Sequence, residues 1–408
     1  MYDLAVLAEW AKFAVRWLHV VTAIAWIGSS FYFIALDLGL RRDRRLAGGA
    51  DGEAWQVHGG GFYHIEKYLV APERMPADLT WFKWESYWTW MSGFALLVLV
   101  YYLGADLYLI DPARADLSTW QAVAISAASL AVGWILYDRL CRSRLGEDAQ
   151  LLMIVLFLIL VAVSWGYTQV FQGRAALLHL GAFTATIMTG NVFFVIMPNQ
   201  RIVVADLIAG RRPDPEYGRI AKQRSTHNNY LTLPVVFLML SNHYPLAFAS
   251  DWNWLIASLV FLMGVTIRHW FNTHHARAGN PHWTWMVTAL LFLAIVWLSS
   301  LGTPSQEEGE TRLTPAARRF AEAPGFAEVQ DIVLGRCSMC HAAEPAWDGL
   351  LWAPRGVRLD TGPAIAAHAP QILVQAGLTD AMPPANVSGM EPAERRKIVA
   401  WYLAATGG

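Results

Sequence analysis

Eight stretches of about 20 mostly apolar residues dominate the chain, at roughly 13–36, 86–104, 120–140, 151–171, 175–197, 230–248, 253–271 and 284–301. In a bilayer, only helices and closed barrels satisfy every backbone N–H and C=O, and ~20 helical residues span the hydrocarbon layer. The spacing therefore predicts an all-α fold, a polytopic eight-helix transmembrane bundle over residues 1–301. Composition agrees: 55% of the 408 residues are hydrophobic and 15% charged, against about 45–50% and ~25% in soluble domains. No removable signal peptide is expected, because Glu9, Lys12 and Arg16 lie where an uninterrupted apolar core would be needed. A net charge of -1 gives nucleic acid no electrostatic footing.

Loop charge sets the orientation, since Lys and Arg gather on the cytoplasmic side. Arg41, Arg42, Arg44 and Arg45 follow the first stretch, and Arg139, Arg142 and Arg144 close the third. Arg201, Arg211, Arg212, Arg219, Lys222 and Arg224 fill the loop after the fifth, and Arg277 follows the seventh. The loops between are poor in cations. The N-terminus is thus expected outside and, with an even number of spans, so is the C-terminus.

The tail supplies an independent sign of the same topology. Cys337-Ser338-Met339-Cys340-His341 is the attachment motif of a c-type haem: two thiols for thioether bonds and a histidine for the iron. Such haem is attached on the non-cytoplasmic side. Phe326, Val329, Ile332 and Val333 give the preceding helix an apolar face. Ile398, Trp401, Tyr402 and Leu403 do the same for a last helix that opens at Glu391-Pro392-Ala393-Glu394. Residues 326–408 resemble a class I cytochrome c domain, and 302–325, rich in Gly, Pro and Glu, read as a linker. Met382, in Met382-Pro383-Pro384, is the expected sixth ligand, a thioether that raises the potential. The iron ligands are then His341 and Met382. The third cysteine, Cys141, has no partner, so a disulfide framework is excluded.

Ionisable residues inside membrane spans are functional candidates. His19 and His179 both count to the outer part of their spans, where facing histidines at one depth hold a b-type haem; the alternative is a satisfied polar residue between helices. Two long cytoplasmic loops hold the other candidates. The first contains His58-Gly59-Gly60-Gly61-Phe62-Tyr63 and leads to Trp81-Phe82-Lys83-Trp84-Glu85. Its glycines either present N–H groups to an anion, helped by Lys67, Arg74 and Lys83, or form a turn. The second loop, about 198–229, ends in Ser225-Thr226-His227-Asn228-Asn229. His269, His274 and His275 form one box similar to those of di-iron membrane hydroxylases.

The first-loop motifs, the eight spans and the C-terminal C-x-x-C-H with Met-Pro-Pro together resemble the membrane-bound urate hydroxylases of bacterial purine degradation. The resemblance covers essentially the whole chain. It implies oxidation of urate to 5-hydroxyisourate with water as oxygen source. Two electrons then leave through the fused haem to a respiratory-chain acceptor such as a soluble cytochrome c or a terminal oxidase. It also implies the bacterial inner membrane, with lipid as surroundings and the tail in the periplasm. Urate is a flat anion of cytoplasmic origin. Trp81 or Trp84 would stack on it, and Lys83 or Arg74 would pair with its charge. Glu85, His58, His227 or Asn228 would position or deprotonate the attacking water. A haem on the far face needs something within the bundle to carry electrons across. The alternatives are an electron conduit without urate chemistry, fed by quinol or another small donor, and a di-iron, O2-dependent hydroxylase.

Overall fold

The computed structural model describes residues 2–42, 46, 49–69, 76, 78–301, 313–348, 350 and 352–407. Arg44, Arg45, Arg74 and the linker segment 302–312 lie outside the described residues. Helix α1 spans Tyr2–Gly39, followed by strands β1 (Ala50–His58) and β2 (Gly61–Tyr68). Helix α2 (Trp84–Leu96) runs on through a π-helical segment, Leu97–Tyr102, to α3 (Ala105–Tyr108). Next come α4 (Thr119–Arg142), α5 (Ala149–Val170) and α6 (Gly173–Gly190). A second π-helical segment, Asn191–Ile196, joins α6 to α7 (Met197–Ile208). Helices α8 (Pro215–Leu240), α9 (Pro245–Phe248), α10 (Asn253–His275) and α11 (Trp283–Ser300) complete the membrane part.

Six helices among the described residues are long and apolar enough to cross a membrane. The two other expected spans are helical but differ from a plain apolar rod. The second is α2 with its π-helical continuation. The sixth starts well before 230: α8 contains Pro234 and gives way at Ser241–His243 to a 3-10 turn. The expected loop 198–229 is thus mostly α7 and α8. Its polar residues are divided: Arg201, Arg211, Arg212 and Arg219 are exposed, whereas Arg224, His227, Asn228 and Asn229 are buried.

Helix α6 is the axis of the bundle. The apolar window within Gly173–Ile208 is 67% buried, against 39% for the next most buried span. Leu177, Leu180 and Phe183 join Phe171, Leu152 and Leu109 in the main core. By contrast α1 turns Trp10, Trp17 and Ile24 outward, as a lipid-facing helix does. Close approach of α4 to α6 depends on Gly133, where a Cβ would run into the Phe183 ring. Gly133→Ala should therefore lower stability by about 1–3 kcal/mol through overpacking. The thermal midpoint in detergent reads this, and adding Phe183→Leu should recover most of the loss.

The all-α expectation needs one correction. The loop after the first span is an antiparallel hairpin pairing His58 with Gly61, Val57 with Phe62 and Trp55 with His64. Gly59 and Gly60 have φ of 60° and 80°, as the two-residue turns that match strand twist demand. The glycines form a turn. Tyr32 Oη donates to Gln56 Oε1 at 2.7 Å and Lys67 pairs with Asp37, which pins the hairpin to α1.

The tail packs its own core around α13 (Phe326–His341) and α14 (Pro392–Thr406), which lie against each other as expected. Lys397 bridges to Glu328 at 2.5 Å and Arg336 to Glu394 at 3.0 Å. Residues 313–321, expected as linker, belong to this core. Helix α12 (Pro315–Ala321) buries Phe320, whose carbonyl accepts the Trp401 indole N–H at 2.9 Å. The tail rests on the membrane part: Gln371 Nε2 donates to Tyr108 Oη at 3.0 Å, Arg174 donates to the Arg355 carbonyl, and Gly356 lies against Phe248.

Candidate functional site

The bundle interior is polar at one end. Tyr137 of α4, Asn191 at the start of a π-helical segment, and Arg224, His227 and Asn228 of α8 form one buried network. Such π segments often sit at functional sites, because they re-aim a side chain. Asn191 Nδ2 donates to Tyr137 Oη and to Asn228 Oδ1, both at 2.9 Å. The Tyr137 proton is therefore directed to His227 Nδ1 at 2.8 Å. Asn228 Nδ2 donates to the Met188 carbonyl at 2.9 Å. Arg224, 1% exposed, pairs with Asp138 at 2.8 Å and stacks over the Tyr137 ring. Tyr137 and His227 also line an apolar cavity with Phe183, Ile187, Leu231 and Phe261.

A second polar group lies one residue on, about 100° round α8. Asn229 Oδ1 accepts from Arg268 Nε at 3.3 Å and from Asn272 Nδ2 at 2.9 Å. Arg268 Nη2 donates to Asn272 Oδ1 at 3.0 Å, and its guanidinium lies 4.1 Å from the centre of the Phe31 ring. Between α1, the hairpin and the segment just after α10 lies a cleft of about 650 Å³ lined by Tyr32, Gly39, Trp55, Gln56, Arg41 and Arg277. That size suits a small ligand.

The five residues expected to act on substrate are not brought into one pocket. His227 and Asn228 sit in the buried network. Glu85 and Lys83 open α2, half-exposed, with the Lys83 ammonium 5.3 Å from the centre of the Trp84 ring. The neighbouring Ser86 reaches Thr189 at 3.4 Å, next to the Met188 that holds Asn228. His58 is exposed at the hairpin turn. No hydrogen bond or ion pair joins any two of the five among the described residues. Nor do three or more His, Cys, Asp or Glu side chains gather as a metal site there. His274 is instead bonded to Asn280 at 2.7 Å and His269 to Tyr230 at 3.3 Å.

His19 and His179 do not face each other. His19 Nδ1 lies 3.0 Å from the Thr89 carbonyl and 3.2 Å from Ser92 Oγ. The His179 ring packs on Tyr101, 5.6 Å between centres. Tyr101 follows Ser92 by nine residues, roughly 13 Å at 1.5 Å per residue. Counting residues into an apolar run places a histidine within its own helix but leaves the axial offset between helices to packing. As a pair the two do not fit one b-type haem, and no step is derived through such a group. His179 is wholly buried, with Nδ1 on the Ala175 carbonyl at 2.8 Å and Nε2 without a partner.

The tail residues do fit a c-type haem. Cys337 and Cys340 lie three apart on the last turn of α13, as free, half-buried thiols. Burial pushes the Cys337 thiol up to about 11. His341 donates from Nδ1 to the Val357 carbonyl at 2.8 Å, which turns Nε2 outward as a ligand, the usual orientation of a metal-binding histidine. The backbone of Met382 is fixed by bonds to Gln375 and Arg395 at 2.8 and 2.9 Å. Met390, eight residues further on, is 2% exposed in the apolar core.

Fold and site define a polytopic helical protein with a polar interior at one end of its bundle and a helical tail bearing a thiol–imidazole motif. The urate oxidase N-terminal family matches residues 5–299, and the chain belongs to that family. The membrane part is therefore urate-related and of an oxidoreductase kind. No curated protein and no solved structure matches the chain.

Sequence reasoning missed Arg224, Arg268, Asn191 and Tyr137 as members of these clusters. One signal was present: Arg268 stands inside the apolar run 253–271, where a charge needs a reason.

Proposed function

We propose that the chain oxidises urate at the cytoplasmic end of its membrane bundle and passes the electrons to a c-type haem in its tail. The family match over residues 5–299, on a chain that continues into Cys337-Ser338-Met339-Cys340-His341, carries this reading. Urate and water give 5-hydroxyisourate, two electrons and two protons. The polar end of the bundle suits that conversion. Asn191 and Tyr137 fix the tautomer and aim of His227, and Asn228 is locked between Asn191 and Met188. Positioned groups of this kind orient a water and take up its proton. The apolar walls around Tyr137 and His227 keep bulk water out, which strengthens each polar contact inside. When bound, a haem would supply a one-electron acceptor. Cys337, Cys340 and His341, the last oriented by the Val357 carbonyl, would hold it, with Met382 as the thioether ligand. In this reading the tail lies in the periplasm of a bacterial inner membrane, and its electrons go on to a respiratory carrier.

Anaerobic addition of urate to membranes containing the full chain tests the proposal. The c-type absorption band should reduce with urate, not with hypoxanthine, and without oxygen. No reduction by urate would sink it; turnover only in oxygen would favour a di-iron hydroxylase.

A further inference from the structure

Two arginines are buried in the bundle, and they differ in one respect. Arg224 has a carboxylate, Asp138, at 2.8 Å. Arg268, 5% exposed, has no ion pair among the described residues. Arginine stays protonated in proteins, and a buried charge is costly unless it is paired. Arg268 is bonded only to neutral amides, through Nε to Asn229 and Nη2 to Asn272. Two of its five N–H donors are used; Nη1 is left over.

A second observation points the same way. Asn229 is fully buried, and its Nδ2 has no partner. The amide orientation is fixed, because Oδ1 already accepts from both Arg268 and Asn272. A cation without a counter-charge and an amide without an acceptor thus share one buried spot. The Phe31 ring holds the guanidinium plane in place. The cleft lined by Tyr32, Gly39 and Arg277 runs along the following stretch of α1 and past the end of α10. Arg277 stands nine residues past Arg268, just outside the helix.

We propose that Arg268 and Asn229 form the binding site for the anionic substrate, a planar heterocycle presenting a carbonyl oxygen beside an ionised ring nitrogen. The identity of that anion as urate rests on the function proposed above. The remaining guanidinium donors offer a flat fork to such an edge, and Asn229 Nδ2 supplies a further donor. The anion supplies the missing counter-charge. Arg41 and Arg277, which both line the cleft, add further cations along it.

Equilibrium binding of radiolabelled urate to the purified full chain in detergent decides the matter. Arg268→Gln should weaken binding about 100-fold, and Arg268→Lys, which keeps the charge without the fork, about tenfold. Asn229→Asp is the sharper variant. It places a carboxylate beside Arg268, so the protein should melt at or above the wild-type temperature while urate binding is lost. Folded Arg268→Gln and Asn229→Asp proteins that bind urate within twofold of wild type overturn the site and leave the urate reading standing. Should Arg268→Gln fail to fold, Asn229→Asp decides alone. A wild-type chain that binds no urate overturns the substrate reading and this site with it.

Discussion

With Cys337 and Cys340 both replaced by alanine, the chain carries no covalent haem on a denaturing gel, and urate-driven reduction of the tail falls to background. The effect should be total because, in the function proposed above, the two thiols are the attachment. They lie three residues apart on one helical turn, the spacing that puts side chains on one face. Each single replacement leaves one thioether and a weakened stain. His341→Ala leaves both thiols and removes the imidazole that Val357 orients, so a stained but spectrally altered protein is expected. Urate binding should stay within twofold of wild type in all of these variants, because the tail lies apart from the polar end of the bundle. A covalent stain surviving the double replacement overturns the attachment.

The second large effect concerns stability. Asp138→Ala leaves Arg224, 1% exposed, without its carboxylate. Breaking a buried pair from one side costs about 3–5 kcal/mol. Because the Asp138 side chain is 17% exposed, about 3 kcal/mol is expected, read as a lower thermal midpoint in detergent. Removing both charges should cost far less than removing one, since a well-packed apolar pair can replace a buried ion pair. The double variant Asp138→Leu with Arg224→Met should therefore melt well above Asp138→Ala. Equal melting temperatures for the two would show that the pair is not what holds α4 to α8.

The parts of this architecture that are local in sequence were legible in it. The thiol–imidazole motif needs five residues, and the apolar runs need only counting. The hairpin carried its signal too, a glycine pair at the turn, but it lay in a segment read for binding. The polar stretch at 224–229 misled for a physical reason. Hydropathy treats polar residues as solvent-facing, yet in a membrane bundle the outside is apolar and the polar residues gather inside. Arg224, His227, Asn228 and Asn229 are buried because their partners, Asp138, Tyr137, Asn191 and Arg268, come from other helices. None of those partners is near them in sequence, so no local pattern announces the network. The offset between His19 and His179 was hidden for a similar reason, being set by how α1 and α6 each pack on α2.

The contact between the tail and the bundle has a kinetic meaning. Tyr108 with Gln371, and Arg174 with Arg355, seat the tail on the same chain that handles the substrate. Under the function proposed above, transfer of electrons into the tail would be an intramolecular event, whose rate is indifferent to how dilute the enzyme is. A linked module behaves as if present at millimolar concentration. Onward delivery to a separate carrier is a collision and scales with that carrier. Diluting the membranes should thus leave the first process untouched and slow only the second, so the tail fills with electrons whenever carriers are scarce.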